Sequence, residues 1–346
     1  MLKIYDIFEP QKCGKNSHGS TITELPNNKI MVVWYCGSFE KAADVGIYAS
    51  ILDRNTSKWS EPVLIEKESS KKSEGNPVIY YDNIDDRLWL FWVTMDRAEY
   101  KIFPGGWSTC KIKCKHLDHP DPEKEDKNPL RKENWSNFKY LTKTWGKMTR
   151  NKPIRLSNND IILPIYSEWL GYKANFLICS ADSFKLGSLK STWKKIGPIG
   201  SNILQPTLVE LEPRHILAYN RTGRFGKNKG FISKIESFDF GIHWSKQSAT
   251  SLPNPNSGCD MVKLNDGNLV LAFNNSSTIR SPLSIALSED KGKSWKYIKD
   301  LEKDDKERFA YPSIIQASDG KIFCSYTNRS GINIRCAEFD EEWIKS

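Results

Sequence analysis

Along the chain, short runs of β-branched and apolar residues alternate with turns rich in Asn, Asp, Gly and Pro, a periodicity of strands rather than helices. Runs at 20–25, 77–81, 153–156, 206–211, 261–264 and 312–316 each read as a short strand. Polar turns close most of them: Pro26-Asn27-Asn28-Lys29, Asp82-Asn83, Ser157-Asn158-Asn159-Asp160, Asn265-Asp266-Gly267 and Ser318-Asp319-Gly320. Asn, Asp and Gly tolerate the positive φ that tight hairpins require. A second, more apolar run follows at 30–35, 88–93, 161–166, 269–273 and 322–326. Tryptophans then punctuate the chain at Trp59, Trp107, Trp193, Trp244, Trp295 and Trp343, in steps of 48, 86, 51, 51 and 48 residues. The long step holds a Lys-, Asp- and Pro-rich stretch that reads as an insertion at about 111–148. The spacing therefore predicts one all-β domain over 1–346, a six-bladed β-propeller with four-stranded antiparallel blades.

Two segments go beyond pattern. Ser237 to Trp244 and Ser288 to Trp295 both spell Ser-x-Asp-x-Gly-x-x-Trp, 51 residues apart. In such a turn Asp bonds backbone amides, Gly supplies a conformation other residues resist, and Trp packs between strands. The motif is structural, so His243 inside it reads as a turn side chain. Ser180-Ala181-Asp182 leading to Trp193 is a degenerate copy, and Asp53 to Trp59 a weaker one.

Composition narrows the classes. Twelve Trp, thirteen Tyr and fifteen Phe can build a core, yet no apolar run is long enough to span a bilayer. The first residues lack the apolar stretch of a secretory signal, because Asp6, Glu9 and Pro10 interrupt it, and a cytoplasmic location is expected. Eight cysteines lie singly in strand-like segments, as buried thiols do. Cys110 and Cys114 with His116 and His119 are the one candidate metal cluster, but their surroundings read as a solvated insertion, and neither a metal nor an organic cofactor is expected. A net charge of +9 favours anionic partners. No basic stripe interleaved with stacking aromatics marks a nucleic-acid module, which leaves an acidic glycan.

The repeated motif is the Asp box, and nearly the whole chain, from His18 to about Phe339, resembles the sialidase superfamily, its predicted-neuraminidase branch in particular. The matching stretches include His18-Gly19-Ser20-Thr21, Gly75-Asn76-Pro77, Asn151-Lys152-Pro153, Gln205-Pro206-Thr207, the segment from Asn254 to Asp260, Arg280-Ser281-Pro282 and Tyr311-Pro312-Ser313. In such folds the innermost strands open toward a central funnel. The resemblance therefore implies that His18, Asn76, Lys152, Gln205, Asp260 and Tyr311 converge there. It further implies substrate-carboxylate arginines at Arg221 and Arg280, a nucleophile at Tyr311, and an acid/base at Asp44, with Glu40 beside it. Two departures stand out: His18 occupies the place of the family's first arginine, and Gln205 that of the glutamate partnering the tyrosine. A neutral amide cannot take a proton from Tyr311.

Three readings follow. Hydrolysis of a terminal acidic sugar, of exo-α-sialidase type, is favoured; β-elimination on a uronic acid, with His18 and Tyr311 moving protons, fits the two departures; a propeller that binds an acidic glycan without cleaving it is allowed by them equally. Plainer roles stand beside these. His18 can bond a neighbouring turn, the arginines can form ion pairs at blade edges, Tyr311 can be a strand-start aromatic, Asp260 can cap a turn, and Asp44 and Glu40 can be solvated loop carboxylates.

Overall fold

The computed structural model describes residues 1–99, 103–169, 171–185, 193–226 and 228–346. Six antiparallel sheets of four or five strands follow one another around an axis, each with its first strand innermost. Blade one runs from Asn16–Leu25 through Lys29–Gly37 and Gly46–Asp53 to Lys58–Trp59, with Val63–Glu66 also on its edge. Blade two comprises Ser73–Asp82, Arg87–Met95, Cys110–Asp118 and Lys139–Tyr140. Blade three splits its inner strand into Lys147–Thr149 and Ile154–Arg155, both paired with Ile161–Ser167, and continues through Lys173–Cys179 to Lys194–Ile199. Blade four is Ile203–Glu212, His215–Thr222, Gly230–Ser237 and Ser248–Asn254; blade five is Asp260–Lys263, Leu269–Asn274, Leu283–Ser288 and Tyr297–Glu302.

Blade six closes the ring. Ala310–Gln316, Ile322–Asn328 and Asn333–Phe339 come from the end of the chain, and the fourth strand, Lys3–Asp6, comes from its start. Tyr5 faces Cys336 in that pairing, so one sheet holds both termini and the circle leaves no gap for strand addition.

Hydrophobic burial lies between blades. Trp89, Phe91 and Val93 of blade two pack with Ile161, Leu163 and Ile165 of blade three, while Ile22, Ile30 and Trp34 of blade one pack with Phe323 and Ile334 of blade six. Each such side chain contributes about 1.5–3 kcal/mol when removed from water. The continuous apolar runs seen in the sequence are these second strands, buried on both faces.

Both full Asp boxes form as expected. Asp239 accepts from the amides of Ile242 (3.1 Å) and His243 (2.9 Å), Ser237 Oγ accepts from the Gly241 amide (2.9 Å), and Trp244 stacks on Phe176 at 4.1 Å. Gly241 sits at φ 85°, where a Cβ would meet Ile162 at 2.8 Å. In the second box Asp290 accepts from the Ser294 amide (2.8 Å), and Trp295 Nε1 donates to the Tyr219 hydroxyl (3.2 Å).

The repeat departs from expectation where tryptophan alone marked it. Trp107 belongs to the 3-10 turn Gly106–Thr109, not to the outer end of blade two. Trp343 lies on the C-terminal helix Glu341–Lys345, packed against Phe339. The stretch expected as an insertion at 111–148 begins inside the third strand of blade two, since Cys110–Asp118 is a largely buried strand, and it also supplies Lys139–Tyr140 and Lys147–Thr149. The segments 119–138 and 141–146 lie outside the sheets, whereas Lys113 and Lys115, which read as solvated, are buried within the strand. The degenerate box at Ser180 opens the short helix Ala181–Lys185, and most of its path to Trp193 lies outside the described residues. No helix among the described residues is long and apolar enough to cross a membrane.

Candidate functional site

Four inner strands carry the same irregularity at the same level. Register slips between His18 and Thr21, Gly75 and Val78, Leu204 and Thr207, and Ala310 and Ser313. At each slip one residue takes the left-handed conformation: Gly19 (φ 63°), Asn76 (43°), Gln205 (53°) and Tyr311 (54°). Three of these are not glycine and precede a proline, a context that disfavours helical backbone, so they hold local strain. Bulges re-aim side chains. Asn76 and Gln205 both donate to the Tyr166 hydroxyl, at 3.2 and 3.3 Å, from blades two and four to a residue of blade three.

Tyr311 lies at the centre of a cationic ring. The guanidinium carbon of Arg150 is 5.4 Å from its ring centroid and that of Arg280 is 5.3 Å away. His18 meets it edge-on with ring centroids 6.1 Å apart, and Tyr35 lies 6.1 Å from His18 on the other side. Arg221 donates to Gln205 Oε1 (3.2 Å) and to Asn256 Oδ1 (2.8 Å), while Arg280 donates to the Asn256 carbonyl (3.1 Å). Asn256 thus holds two arginines side by side.

The ring is rich in charge and short of partners. Arg150 is 1% exposed, donates to the Pro312 carbonyl at 3.3 Å, and has no protein acceptor for Nε or Nη1 among the described residues. A buried guanidinium left so incompletely bonded is costly, of order several kcal/mol. His18 Nδ1 is likewise buried without a protein partner among the described residues. Gly331 closes over the other nitrogen so tightly that a Cβ there would lie 2.7 Å from Nε2.

These surroundings set the protonation states. Burial, reinforced by the Arg280 charge, pulls His18 down from 6.5 to about 4, so its imidazole is neutral near pH 7. Burial pushes the Tyr311 phenol up, but the charges of Arg280 and Arg221, with a hydrogen bond from Arg280, outweigh it and hold the phenol below the ordinary tyrosine value. For Tyr35 and Tyr166 burial outweighs the opposing charges of Arg150 and Arg221, and both are raised. Burial lifts the Glu168 carboxyl to about 7; Arg221 opposes the rise and Glu40 adds to it.

The other residues expected at the funnel divide. Glu40 accepts from Trp107 Nε1 (3.1 Å), and its charge acts on Tyr35, Tyr311 and Glu168. Asp44, expected as the acid/base, is exposed on its loop and accepts from the Ser38 amide (3.0 Å) and hydroxyl (3.0 Å). Lys152 and Asp260 pair with each other; Asp260 also accepts from Thr207 (2.7 Å), Ser313 (3.3 Å) and the Ile314 amide (2.8 Å). That carboxylate ties four blades together across the axis and has little capacity left for a ligand. Cys110 and Cys114 are buried in blade two, His116 bonds Ser136 (3.2 Å), and His119 pairs with Asp86 (2.7 Å). Among the described residues, no group of three or more His, Cys, Asp or Glu is placed to hold a metal ion.

The profile of the BNR repeat-like domain matches residues 28–324. The chain belongs to that family. Among solved structures, the chain is similar to the Hadza microbial sialidase Hz136, at 14% identity over 99% of this chain and 69% of that one, with a TM-score of 0.79. The NanB sialidase from Streptococcus pneumoniae is 16% identical over 99% and 71%, with a TM-score of 0.77. The intramolecular trans-sialidase from Ruminococcus gnavus is 13% identical over 99% and 98%, with a TM-score of 0.74. At such identities the likeness is one of fold. No curated protein sequence matches the chain.

In this BNR-repeat funnel the sequence reading missed Arg150, Tyr35, Tyr166, Asn256 and Glu168. A signal for several existed. In an antiparallel hairpin the end of the second strand returns to the level where the first begins. His18 accordingly faces Tyr35 in register, and Leu204 faces Arg221. Tyr35 and Tyr166 close the apolar runs at 30–35 and 161–166. Arg150 had no such mark, because blade three interrupts its inner strand there.

Proposed function

We propose that the funnel binds the carboxylate of a terminal acidic sugar and that the protein is a glycoside hydrolase of exo-α-sialidase type. The observation that carries this reading is the crowding of Arg150, Arg221 and Arg280 around one tyrosine whose phenol they favour in its charged form. Guanidinium groups recognise carboxylates through paired, charge-assisted bonds. In the proposed reaction the Tyr311 phenolate oxygen attacks the anomeric carbon as the glycosidic bond breaks. Glu168, protonated near neutral pH, gives its proton to the departing oxygen; water then displaces the tyrosine and returns a proton to Glu168. Arg221 and Arg280 do by charge what the absent partner glutamate would do by accepting a proton, which accounts for the neutral Gln205.

A second reading has one observation in its favour. His18 is neutral and faces Tyr311 edge-on, and such a pair can abstract and return protons in β-elimination from a uronic acid whose carboxylate the arginines neutralise. Purified protein offered sialosides and uronate oligosaccharides separates the two. Release of reducing sugar without a rise in ultraviolet absorbance supports hydrolysis; an absorbing, unsaturated product contradicts it in favour of elimination. Tight binding with neither product reduces the protein to a binding propeller.

A further inference from the structure

Blades two and three line an open depression of about 800 Å³ whose wall carries Lys143, Lys147, Lys173 and Lys195 with Trp145 and Trp169. Lys147 and Lys195 line the same wall, and the Lys195 charge acts on Lys147. None of these four lysines forms an ion pair among the described residues. A fifth, Lys111, does: it meets Asp96 at 2.6 Å. Asp96 also faces Lys72 at 3.6 Å and accepts from Trp145 Nε1 at 2.7 Å, so this carboxylate is already engaged. Burial and the Lys195 charge together pull Lys147 down to about 8. Like charges on one wall repel, and an anion bound among them would relieve that repulsion.

The cavity adjoins the funnel in sequence and in space. Lys147 opens the strand Lys147–Thr149 that leads into Arg150, a separation of roughly 10 Å along an extended chain. Ser167, on the cavity wall, lies between Tyr166 and Glu168 of the funnel. The Trp145 and Trp169 rings, 6.4 Å apart and inclined by 49°, add flat apolar surface that suits the face of a sugar ring.

We propose that this cavity is a second anion subsite, holding the carboxylate or sulfate of a neighbouring sugar while the funnel holds the terminal one, so that the preferred ligand is a polyanionic glycan. The inference rests on the reading of the funnel as an acidic-sugar site. With inorganic sulfate as the probe, the Lys147 signal reports on the cavity alone. In an NMR titration, sulfate should raise the Lys147 midpoint from about 8 toward the ordinary lysine value, in the unaltered chain and equally in Arg280→Ala. A midpoint that ignores sulfate overturns the subsite and leaves the funnel reading standing.

Galacturonate and tetragalacturonate probe the two sites together by calorimetry. The tetramer should bind at least about tenfold more tightly than the monomer. The Lys147→Gln/Lys195→Gln double variant should lose that gain and keep the monomer's affinity. A double variant that retains the gain overturns the proposal. Failure of the monomer to bind the unaltered chain, with the sulfate response intact, overturns the joint occupancy through the funnel and not through the cavity.

Discussion

In the turn around Asp290 the carboxylate accepts from Ser288 and from the amide and hydroxyl of Ser294, and its pKa falls to about 2. In the funnel, Arg150 Nε and Nη1 and His18 Nδ1 are buried with no protein partner among the described residues, and Asn76, Gln205 and Tyr311 hold left-handed backbone. One region satisfies its polar groups from within eight residues of chain; the other gathers groups from blade after blade and leaves them incompletely paired. Polar satisfaction of the first kind stabilises a fold, whereas incomplete pairing at a convergent site leaves bonding capacity for a ligand.

The contrast can be broken by substitutions that act on one region and spare the other. Tyr311→Phe removes the nucleophile, and turnover should fall at least about 10³-fold while the thermal midpoint stays within a few degrees. Loss of folding in this variant would make the tyrosine a structural residue. A pH series sharpens the same point. An unfolded His18 takes up a proton near 6.5, whereas the native one resists until about pH 4. Stability should therefore fall as pH drops through that window and level off below it, with a contribution of up to about 3 kcal/mol. Urea melts of His18→Asn should show a shallower fall; parallel slopes would remove His18 from the account.

Smaller effects follow at the rim and beneath the site. Asp290→Ala should lower stability by about 0.5–1.5 kcal/mol, since the Ser294 amide and the Ser288 and Ser294 hydroxyls lose their acceptor, yet leave turnover per folded molecule unchanged. A selective loss of turnover would erase the distinction between the regions. Arg150→Met should do the opposite, raising stability by about 1 kcal/mol or more while weakening the binding of acidic sugars. Melting and calorimetry on one sample check both signs.

What could be read in the chain beforehand follows the same division. The Asp boxes were legible because their physics is local: Ser237, Asp239, Gly241 and Trp244 bond or pack within one turn and its neighbouring blade. Inner and second strands were legible from their apolar runs and turns. Tryptophan spacing alone failed at Trp107 and Trp343, because an indole also serves to bond Glu40 or to seat a terminal helix. The funnel was legible only where a bulge left a mark, as in Asn76-Pro77, Gln205-Pro206 and Tyr311-Pro312. Arg150 and Glu168 were not, since their importance arises from burial against residues far away in sequence. Asp44, read as the acid/base, lies exposed and bonded to Ser38 inside its loop.

The account turns on three arginines reading one carboxylate at the propeller axis. Calorimetry with an acidic monosaccharide and its carboxyl-reduced alcohol, on the unaltered chain and on Arg280→Ala, tests that directly. The acid should bind more tightly than the alcohol, and Arg280→Ala should weaken the acid by about 1.5–3 kcal/mol while leaving the alcohol unchanged. Equal affinities for acid and alcohol in the unaltered chain would contradict it.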